Sequence, residues 1–273
     1  MSKNLKTFFP TEPARPWNNP EKKRIARDML ERYTGSPIDE ICSHIILSNF
    51  DQYINTFSER SGQPIHQGSA CRIVNNPDID VSLLDFNIGS PMSALVIEML
   101  AGIEPAAVLM AGMCGGLHRD IKIGDFFVPM AAIRDEGTSI HYMPAQVPAL
   151  PAFKIQKFLS QVIVEKGESY VAGVVHTTDY RFWEFDEHFK QVLKQEKAAA
   201  IDMETATLFV AAFACKIPCG ALLLVSDLPL IEPKTKAAAK KVFSKYTNLH
   251  LDIAIEAMTE LEERGDQVRH FEW

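Results

Sequence analysis

Short apolar runs alternate along the chain with longer stretches in which apolar residues recur at helical spacing. Residues 44–50, 106–112 and 218–227 are almost wholly apolar and show no alternation, which is typical of strands buried on both faces. Residues 90–102 and 152–167 instead carry apolar positions three and four apart, as an amphipathic helix requires. This alternation predicts an α/β fold in which helices cover a parallel or mixed sheet.

The same pattern gives approximate bounds for each element. Strands are predicted at residues 44–50, 80–89, 106–112, 123–137, 170–178 and 218–227, and a short strand leads into a helix over 198–216. Helices are predicted at residues 21–34, 52–60, 90–102, 152–167, 182–196 and 233–264. The first 20 residues contain four prolines, so residues 1–36 are predicted to form an arm and a helix, and residues 37–273 a single catalytic domain.

Composition excludes several classes of function. The formal net charge of −7 argues against a nucleic-acid partner, whose phosphates need clustered positive charge. Five scattered cysteines without a CxxC pair, and histidines without metal-ligand spacing, argue against disulfides and against a metal. No signal peptide and no apolar run of about 20 residues is present, so we expect a cytoplasmic protein without membrane contact.

Two acidic residues follow predicted strands, where ligands bind in open α/β sheets. Asp227 follows the apolar run 221–225 after one intervening serine, Ser226, and is either a turn residue or a general acid with a raised pKa. Glu204 follows Asp202 closely, and the pair is either a helix cap or includes a carboxylate that holds sugar hydroxyls. Each reading has comparable weight on the pattern alone.

Glycines at two other strand ends also allow two interpretations. Residues 112–116 contain three glycines after a buried strand, and they form either a plain tight turn or a turn at which the backbone can approach a flat ligand closely. Gly89 and Ser90 begin a predicted helix, so they form either an ordinary cap or backbone N–H donors for an anion. Neither stretch matches the dinucleotide or P-loop patterns, so no cofactor is predicted.

Together, these segments resemble the nucleoside phosphorylase and nucleosidase family, of the purine and uridine phosphorylase type. The resemblance covers residues 40–260, and within the family it is strongest to short bacterial nucleosidases that cleave AMP. It implies a three-layer α/β/α fold around a mixed, partly barrel-like sheet, and a trimer or hexamer with sites near subunit contacts. The segments that carry it are GSPMSA, AGMCGGLHRDIKIGDFFVP, IRDEGTSIHY, AIDMETATLF, ALLLVSDLP and LSNFDQYINTF.

The resemblance also implies roles for individual residues. Glu204 would hold the ribose 2′-hydroxyl and Met203 would pack on the sugar, while Asp227, next to Ser226, would bond purine N7. The residues expected to contact the substrate elsewhere are Asn49, Gly89, Ser90, Gly112, Cys114, Gly115 and Phe182, with Trp183 as a second candidate for the aromatic position.

Three departures from the family pattern bear on the attacking group. Phosphorylases of this type bind free phosphate through two arginines and a Ser or Thr, where this sequence has Met110, Met113 and no arginine near Gln52. Charge-assisted bonds carry most of such affinity. Water is therefore the expected nucleophile, and the predicted reaction is hydrolysis of AMP to adenine and ribose 5-phosphate.

Two other functions stay open. One is a phosphorylase or nucleosidase that acts on unphosphorylated nucleosides, and the other is a nucleotide-binding module without catalysis, which the presence of both acidic residues disfavours. Donors for a 5′-phosphate are expected in the loop after the long strand. Arg134 and His141 are the candidates there, although Arg134 could instead pair with a neighbouring acid.

Overall fold

The computed structural model describes residues 19–231 and 242–264. Its strands are β1 (His44–Ser48), β2 (His66–Gln67), β3 (Arg72–Asn76), β4 (Val81–Asp85), β5 (Ala107–Gly116), β6 (Phe126–Asp135), β7 (Tyr170–Thr178), β8 (Ala200–Asp202) and β9 (Cys219–Asp227). Its helices are α1 (Pro20–Thr34), α2 (Asp51–Ser61), α3 (Ser90–Leu100), α4 (Phe153–Glu165), α5 (Glu187–Glu196), α6 (Thr205–Cys215) and α7 (Thr247–Arg264). The predicted helix over 233–264 lies partly outside the described residues.

All nine of these strands form one mixed sheet in the order β2-β3-β4-β1-β5-β8-β7-β6-β9. Strand β9 also pairs with β5 in parallel, so β5, β8, β7, β6 and β9 close a ring and β1 to β4 extend from it. Strand β1 is parallel to both β4 and β5, whereas β8 runs antiparallel to β5. The predicted mixed, partly barrel-like sheet is confirmed.

Side chains of β1 point alternately into two hydrophobic cores, as the period of a strand requires. Ile45 and Leu47 belong to a core shared with α1, α3 and α6. Ile46 belongs to the core on the other face, which includes residues of α2, α4 and α7. Helices therefore cover both faces of the sheet, and the predicted three-layer α/β/α architecture is confirmed.

The N-terminal helix α1 packs on the first of these cores. Its Leu30 is fully buried, and a left-handed Gly35 ends the helix with an N–H bond to Glu31, as the sequence predicted. The division into an arm and helix over 1–36 and a catalytic domain over 37–273 stays a prediction.

The hairpin of β2 and β3 was not predicted. Strand β3 has only five residues, two of them asparagine, so its sequence lacks the alternating or continuous apolar pattern of a strand. Its structure comes from antiparallel pairing with β4, which joins Arg72 to Asp85 and Val74 to Leu83 in register. Pairing of this kind depends on the neighbouring strand and not on local sequence.

Within residues 19–231 and 242–264, no helix is both long enough and apolar enough to pass through a lipid bilayer.

Candidate active site

Glu204 lies in the tight connection between β8 and α6, and backbone N–H groups hold both of its carboxylate oxygens. Gly89 donates to Oε1 at 2.8 Å and Met203 donates to Oε2 at 3.2 Å. Ser90 Oγ donates to the carbonyl of Met203 at 2.8 Å. Four residues predicted for the site therefore meet. The N–H at the start of α3, which was a candidate donor for an external anion, is used by Glu204.

Gly89 adopts a conformation that brings this N–H to the carboxylate. Its φ angle is +92°, in the region that L-residues with a side chain rarely occupy. Ser90 follows as the first residue of α3 and is completely buried. Glycine is therefore required at this position by the backbone conformation, because the chain turns after β4 and begins a helix next to Glu204.

Burial raises the pKa of Glu204 to about 8, and the neighbouring charge of Asp202 adds to the increase. Burial also raises the pKa of Asp202, opposed by its hydrogen bonds. Asp202 accepts bonds from Thr177 Oγ1 at 2.6 Å and from the N–H of Thr205 at 2.8 Å. Asp202 therefore anchors the start of α6 and orders the turn that carries Glu204, but the N-cap position itself is Glu204, two residues after the position that the helix-cap interpretation gave.

Asp227 occupies the last position of β9 and is partly exposed. The hydroxyl of Ser226 donates to its carboxylate, and the same hydroxyl lies 3.3 Å from the carbonyl oxygen of Cys114. Asp227 is the register partner of Gly115, just after an irregularity between Cys114 and Gly115. A second group of predicted residues is thus brought together at the carboxyl end of β9.

Strand β5 connects the two groups. Gly115 pairs with Asp227 on β9 and with Ile201 on β8, and Met203 follows Ile201 by two residues. The chain segments that carry Glu204 and Asp227 therefore lie on either side of one stretch of β5. This juxtaposition depends on closure of the barrel, because β8, which leads into Glu204, and β9, which ends at Asp227, are not neighbours of each other.

The predicted glycine-rich turn over residues 112–116 is wrong, since β5 continues through Gly116. The glycines lie where the closed barrel leaves little space. A Cβ added at Gly115 would be 3.0 Å from the ring of Pro229, and one added at Gly116 would be 2.8 Å from Ile121. The glycines thus allow the strand to pack closely, and they make no tight turn.

Arg134, at the end of β6, braces the loop that follows it. Its Nε donates to Ser139 Oγ at 2.9 Å, and its terminal nitrogens donate to the carbonyls of Met143, Pro144 and Val147 at 2.6–2.8 Å. These four bonds leave one of the five guanidinium N–H groups for a substrate. The phosphate role predicted for Arg134 stays a prediction, and the alternative of pairing with a neighbouring acid is not what the structure shows.

Other contacts fix the same loop to the body of the protein. Gly137 N–H donates to Asp179 at 2.8 Å, and Tyr142 donates to Glu98 of α3 at 3.0 Å. Asp179 also contributes to the raised pKa of Glu204, so the loop approaches Glu204. His141 is exposed on this loop, and its predicted contact with a phosphate stays a prediction.

The two aromatic candidates differ in burial. Phe182 is 68% exposed, whereas Trp183 is 4% exposed and packs with Leu193 in a small separate core. The guanidinium of Arg181 lies 5.9 Å from the centre of the Phe182 ring. Phe182 is therefore the aromatic residue that a flat ligand could reach.

Asn49 lines a polar cavity of about 510 Å³ at the carboxyl ends of β1 and β4. Arg72 of β3 also lines it and was missed by the sequence, because β3 was not predicted and Arg72 lies 20 residues from Gln52. Arg72 and Gln52 therefore line the same cavity, although 20 residues separate them in the sequence. The lining residues are Asn49, Phe50, Asp51, Gln52, Arg72, Asp85, Asn87 and Phe243.

A possible group of metal ligands lies at the other end of β1. The ligand atoms of His44, Asp80 and Glu262 are within 4.8 Å of one another. His44 is the first residue of β1, and the candidate site is at its last, Ser48. That the protein binds no metal remains a prediction from the sequence.

Comparisons with known proteins all lead to the same protein family. The model of the phosphorylase superfamily matches residues 40–259. The AMP nucleosidase of Escherichia coli is 26% identical over 96% of this chain, and the chain spans 64% of that protein's length. The guanosine phosphorylase of Halorubrum lacusprofundi is 30% identical over 58% of this chain and 65% of its own.

Solved structures show similar folds. The crystal structure of AMP nucleosidase from Bacteroides thetaiotaomicron is 37% identical, with a TM-score of 0.80 over 90% of this chain and 99% of its own. Uridine phosphorylase from Vibrio fischeri is 20% identical, with a TM-score of 0.73 over 81% of this chain and 93% of its own. The second likeness concerns the fold alone.

Proposed function

This chain belongs to the phosphorylase superfamily, and we propose that it hydrolyses the N-glycosidic bond of AMP to give adenine and ribose 5-phosphate. The observation that carries the proposal is the likeness to an AMP nucleosidase at 37% identity over nearly the whole of that structure. The positions of Glu204 and Asp227 on either side of one stretch of β5 support it.

The proposed reaction breaks the bond between C1′ and N9, and the bonding electrons pass to the purine. Asp227 donates a proton or a strong hydrogen bond to N7 and so stabilises the leaving group. Positive charge develops on the sugar, as in other glycoside hydrolyses, and a water molecule attacks C1′. The proton that this water loses passes to the solvent, from which Asp227 is protonated again. No protein nucleophile and no cofactor take part in this scheme.

Glu204 would position the ribose during this reaction. Its carboxylate is fixed by the N–H groups of Gly89 and Met203, and its remaining lone pairs can accept from sugar hydroxyls. A group held in place before substrate binds loses little freedom in the transition state. Met203 and Phe182 would contact the sugar and the base, and Cys114 and Gly115 the purine edge next to Asp227.

One observation favours phosphorolysis of an unphosphorylated nucleoside as a second candidate. Arg72 lines the cavity that contains Gln52, so a guanidinium is present near the segment where related phosphorylases hold free phosphate. Met110, however, is fully buried where those enzymes have an arginine. Hydrolysis therefore remains the proposal.

The test is release of adenine from AMP and from adenosine, and of hypoxanthine from inosine, each with and without inorganic phosphate. We expect turnover of AMP without phosphate, with ribose 5-phosphate as the sugar product. A ribose 1-phosphate or a ribose 1,5-bisphosphate product would overturn the assignment as a hydrolase.

We also propose that the protein is a cytoplasmic homo-oligomer, a trimer or hexamer, with substrate sites near the subunit contacts. Ile140 on the loop after β6 is 55% exposed, and Phe153 at the start of α4 is 63% exposed. Apolar side chains of this size favour burial against another surface. Light scattering coupled to gel filtration would measure the mass, and a monomer at micromolar concentration would contradict the proposal.

A further inference from the structure

One buried histidine has no part in the proposed reaction and yet lies beside the candidate site. His176, on β7, is completely buried, and its neighbour Thr177 donates to Asp202. The Nδ1 atom of His176 is 2.8 Å from Oε2 of Glu196 at the end of α5, and Nε2 is 3.2 Å from Oδ2 of Asp135 at the end of β6. Both ring nitrogens therefore face carboxylate oxygens from two other elements of the fold.

These two contacts favour a charged ring. A carboxylate only accepts hydrogen bonds, and a neutral imidazole has one N–H donor, whereas the imidazolium has two. A neutral ring between Asp135 and Glu196 would direct the lone pair of one nitrogen at an anion. The imidazolium satisfies both contacts, and proteins tolerate a buried cation that is hydrogen-bonded to anions.

Among the described residues, the charged groups that contact His176 come from two elements. Strand β6 contributes Asp135, whose side chain is 52% exposed, and α5 contributes Glu196, whose side chain is 29% exposed. Strand β8 contributes Ile201, the register partner of His176, and α5 also contributes Phe189, whose ring centre is 5.4 Å from that of His176. Since Ile201 and Phe189 carry no charge, two partly hydrated carboxylates determine the electrostatic environment of the ring.

One of the two contacts connects the ring to the loop after β6. Asp135 is the last residue of β6, and Gly137 begins the loop with its N–H bonded to Asp179 at 2.8 Å. His141, the candidate for contact with the 5′-phosphate, lies on the same loop. The bond from His176 to Asp135 therefore fixes the point at which this loop leaves the sheet.

The other contact holds α5, which packs against the aromatic segment after β7. Phe189 of α5 meets the ring of His176 edge-on, at an interplanar angle of 84°. The ring of Phe189 also contacts Tyr180 and Trp183, with ring centres 5.8 Å apart in both pairs. Phe182, the aromatic residue that a flat ligand could reach, lies between these two in the chain. The position of α5 therefore sets the position of the segment that carries Phe182.

We propose that His176 is a positioning residue for substrate binding: its imidazolium joins β6 to α5, and so holds the loop after β6 and Phe182 in place for the ligand. The inference rests on the proposed function for the identity of that ligand, AMP. Histidine ordinarily changes charge near neutral pH. When His176 loses a proton as the pH rises, the neutral ring keeps only one of its two bonds, so AMP binds more weakly while kcat changes little.

Asp135→Asn distinguishes this role from a merely structural one. An asparagine amide can accept a bond from the imidazolium or donate one to the neutral ring, so the variant keeps both contacts in either charge state. From pH 6 to pH 9, we expect the KM of wild type for AMP to rise about 3- to 10-fold relative to that of Asp135→Asn, as for partial loss of a charged hydrogen bond. The ratio of the two kcat values should stay constant. Glu204, whose pKa is about 8, and the phosphate of AMP titrate in both enzymes, so their effects cancel in these ratios.

Two further variants complete the kinetic test. Glu196→Gln makes the same change on the other side of the ring and should remove the pH dependence in the same way. His188→Gln is the matched control, because His188 is exposed on α5, and it should keep the profile of the wild type. All three variants leave the buried ring in place, so the test does not depend on the folding of a His176 variant. A KM ratio between wild type and Asp135→Asn that is constant from pH 6 to pH 9 would overturn the inference while leaving the proposed hydrolysis intact.

Nitrogen-15 NMR of histidine-labelled protein measures the charge of the ring without substrate. The resonances of His176 are those that shift in both Asp135→Asn and Glu196→Gln, and both ring nitrogens should be protonated at pH 6. A ring with a single proton at pH 6 would overturn the inference whatever the protein does with AMP. If adenine is not released from AMP, the proposed hydrolysis fails, and calorimetric dissociation constants for AMP replace KM in the comparison. The inference then fails only if their pH dependence is the same in wild type and Asp135→Asn.

Discussion

The two carboxylates of the candidate site occupy opposite environments. Glu204 is 3% exposed, accepts two backbone N–H bonds and has a pKa raised by burial and by Asp202. Asp227 lies at the rim, partly exposed at the end of β9, with Ser226 as a hydrogen-bond donor. The first is fixed inside the fold, and the second is accessible at the edge of the barrel.

This difference in environment matches the two roles proposed above, positioning of the ribose for Glu204 and proton transfer for Asp227. A carboxylate that holds a ribose benefits from a fixed, dry setting, where hydrogen bonds are stronger. A proton donor must recover its proton after each turnover, which exposure to solvent allows. Removal of the buried group should therefore change stability and binding, whereas removal of the group at the rim should change catalysis alone.

The largest effect is expected for Asp227→Asn. Loss of the proton donor should lower kcat for AMP about 10²- to 10⁴-fold, the usual contribution of general acid catalysis. The melting temperature should stay close to that of the wild type, because the side chain is at the rim. Asp78→Asn, an exposed aspartate in the turn before β4, is the control and should retain activity. An Asp227→Asn enzyme within about threefold of wild type would exclude the proposed role.

A smaller effect is expected in the loop after β6. His141→Ala should weaken AMP binding by about 1.5–3 kcal/mol and adenosine binding far less, if the imidazole contacts the 5′-phosphate. Arg134→Ala should weaken both ligands, because four of its bonds order the loop itself. Dissociation constants from calorimetry would separate the two roles. A loss for AMP alone in Arg134→Ala would restore the predicted phosphate contact.

The last prediction concerns the stability of the fold and its dependence on pH. The pKa of Glu204 rises from 4.5 to about 8 on folding, so the folded protein binds this proton more tightly than the unfolded chain. Its contribution to stability is therefore present below about pH 4.5 and is lost as the pH rises to about 8. Glu204→Gln removes this titration and should raise the free energy of unfolding relative to wild type above pH 8.

Urea unfolding at pH 5, 7 and 9 measures this dependence, and Asp227→Asn serves as the carboxylate control. The difference between Glu204→Gln and wild type should grow with pH. A difference that is constant over this range would mean that Glu204 does not hold a proton in the folded protein near neutral pH. It would also remove the contrast between the two carboxylates.

Much of the fold could be predicted because a strongly apolar segment indicates a buried strand or helix without reference to its neighbours. The run from Cys219 to Val225 is buried throughout, so its strand character was visible without any partner. The same holds for β7, whose predicted and observed bounds coincide at residues 170 and 178. Prediction failed for β3 and for the second half of β5, where pairing with other strands determines the conformation.

The sequence by itself determined the chemistry of the site: which acids follow strands, and that Asp202 and Glu204 lie where a helix begins. Only the tertiary structure decided which groups meet. Closure of β9 onto β5 aligned Asp227 with Gly115, and the β3–β4 pairing carried Arg72 to a cavity beside Gln52. Hydrogen bonds between strands join residues far apart in sequence, so spacing along the chain could reveal neither contact.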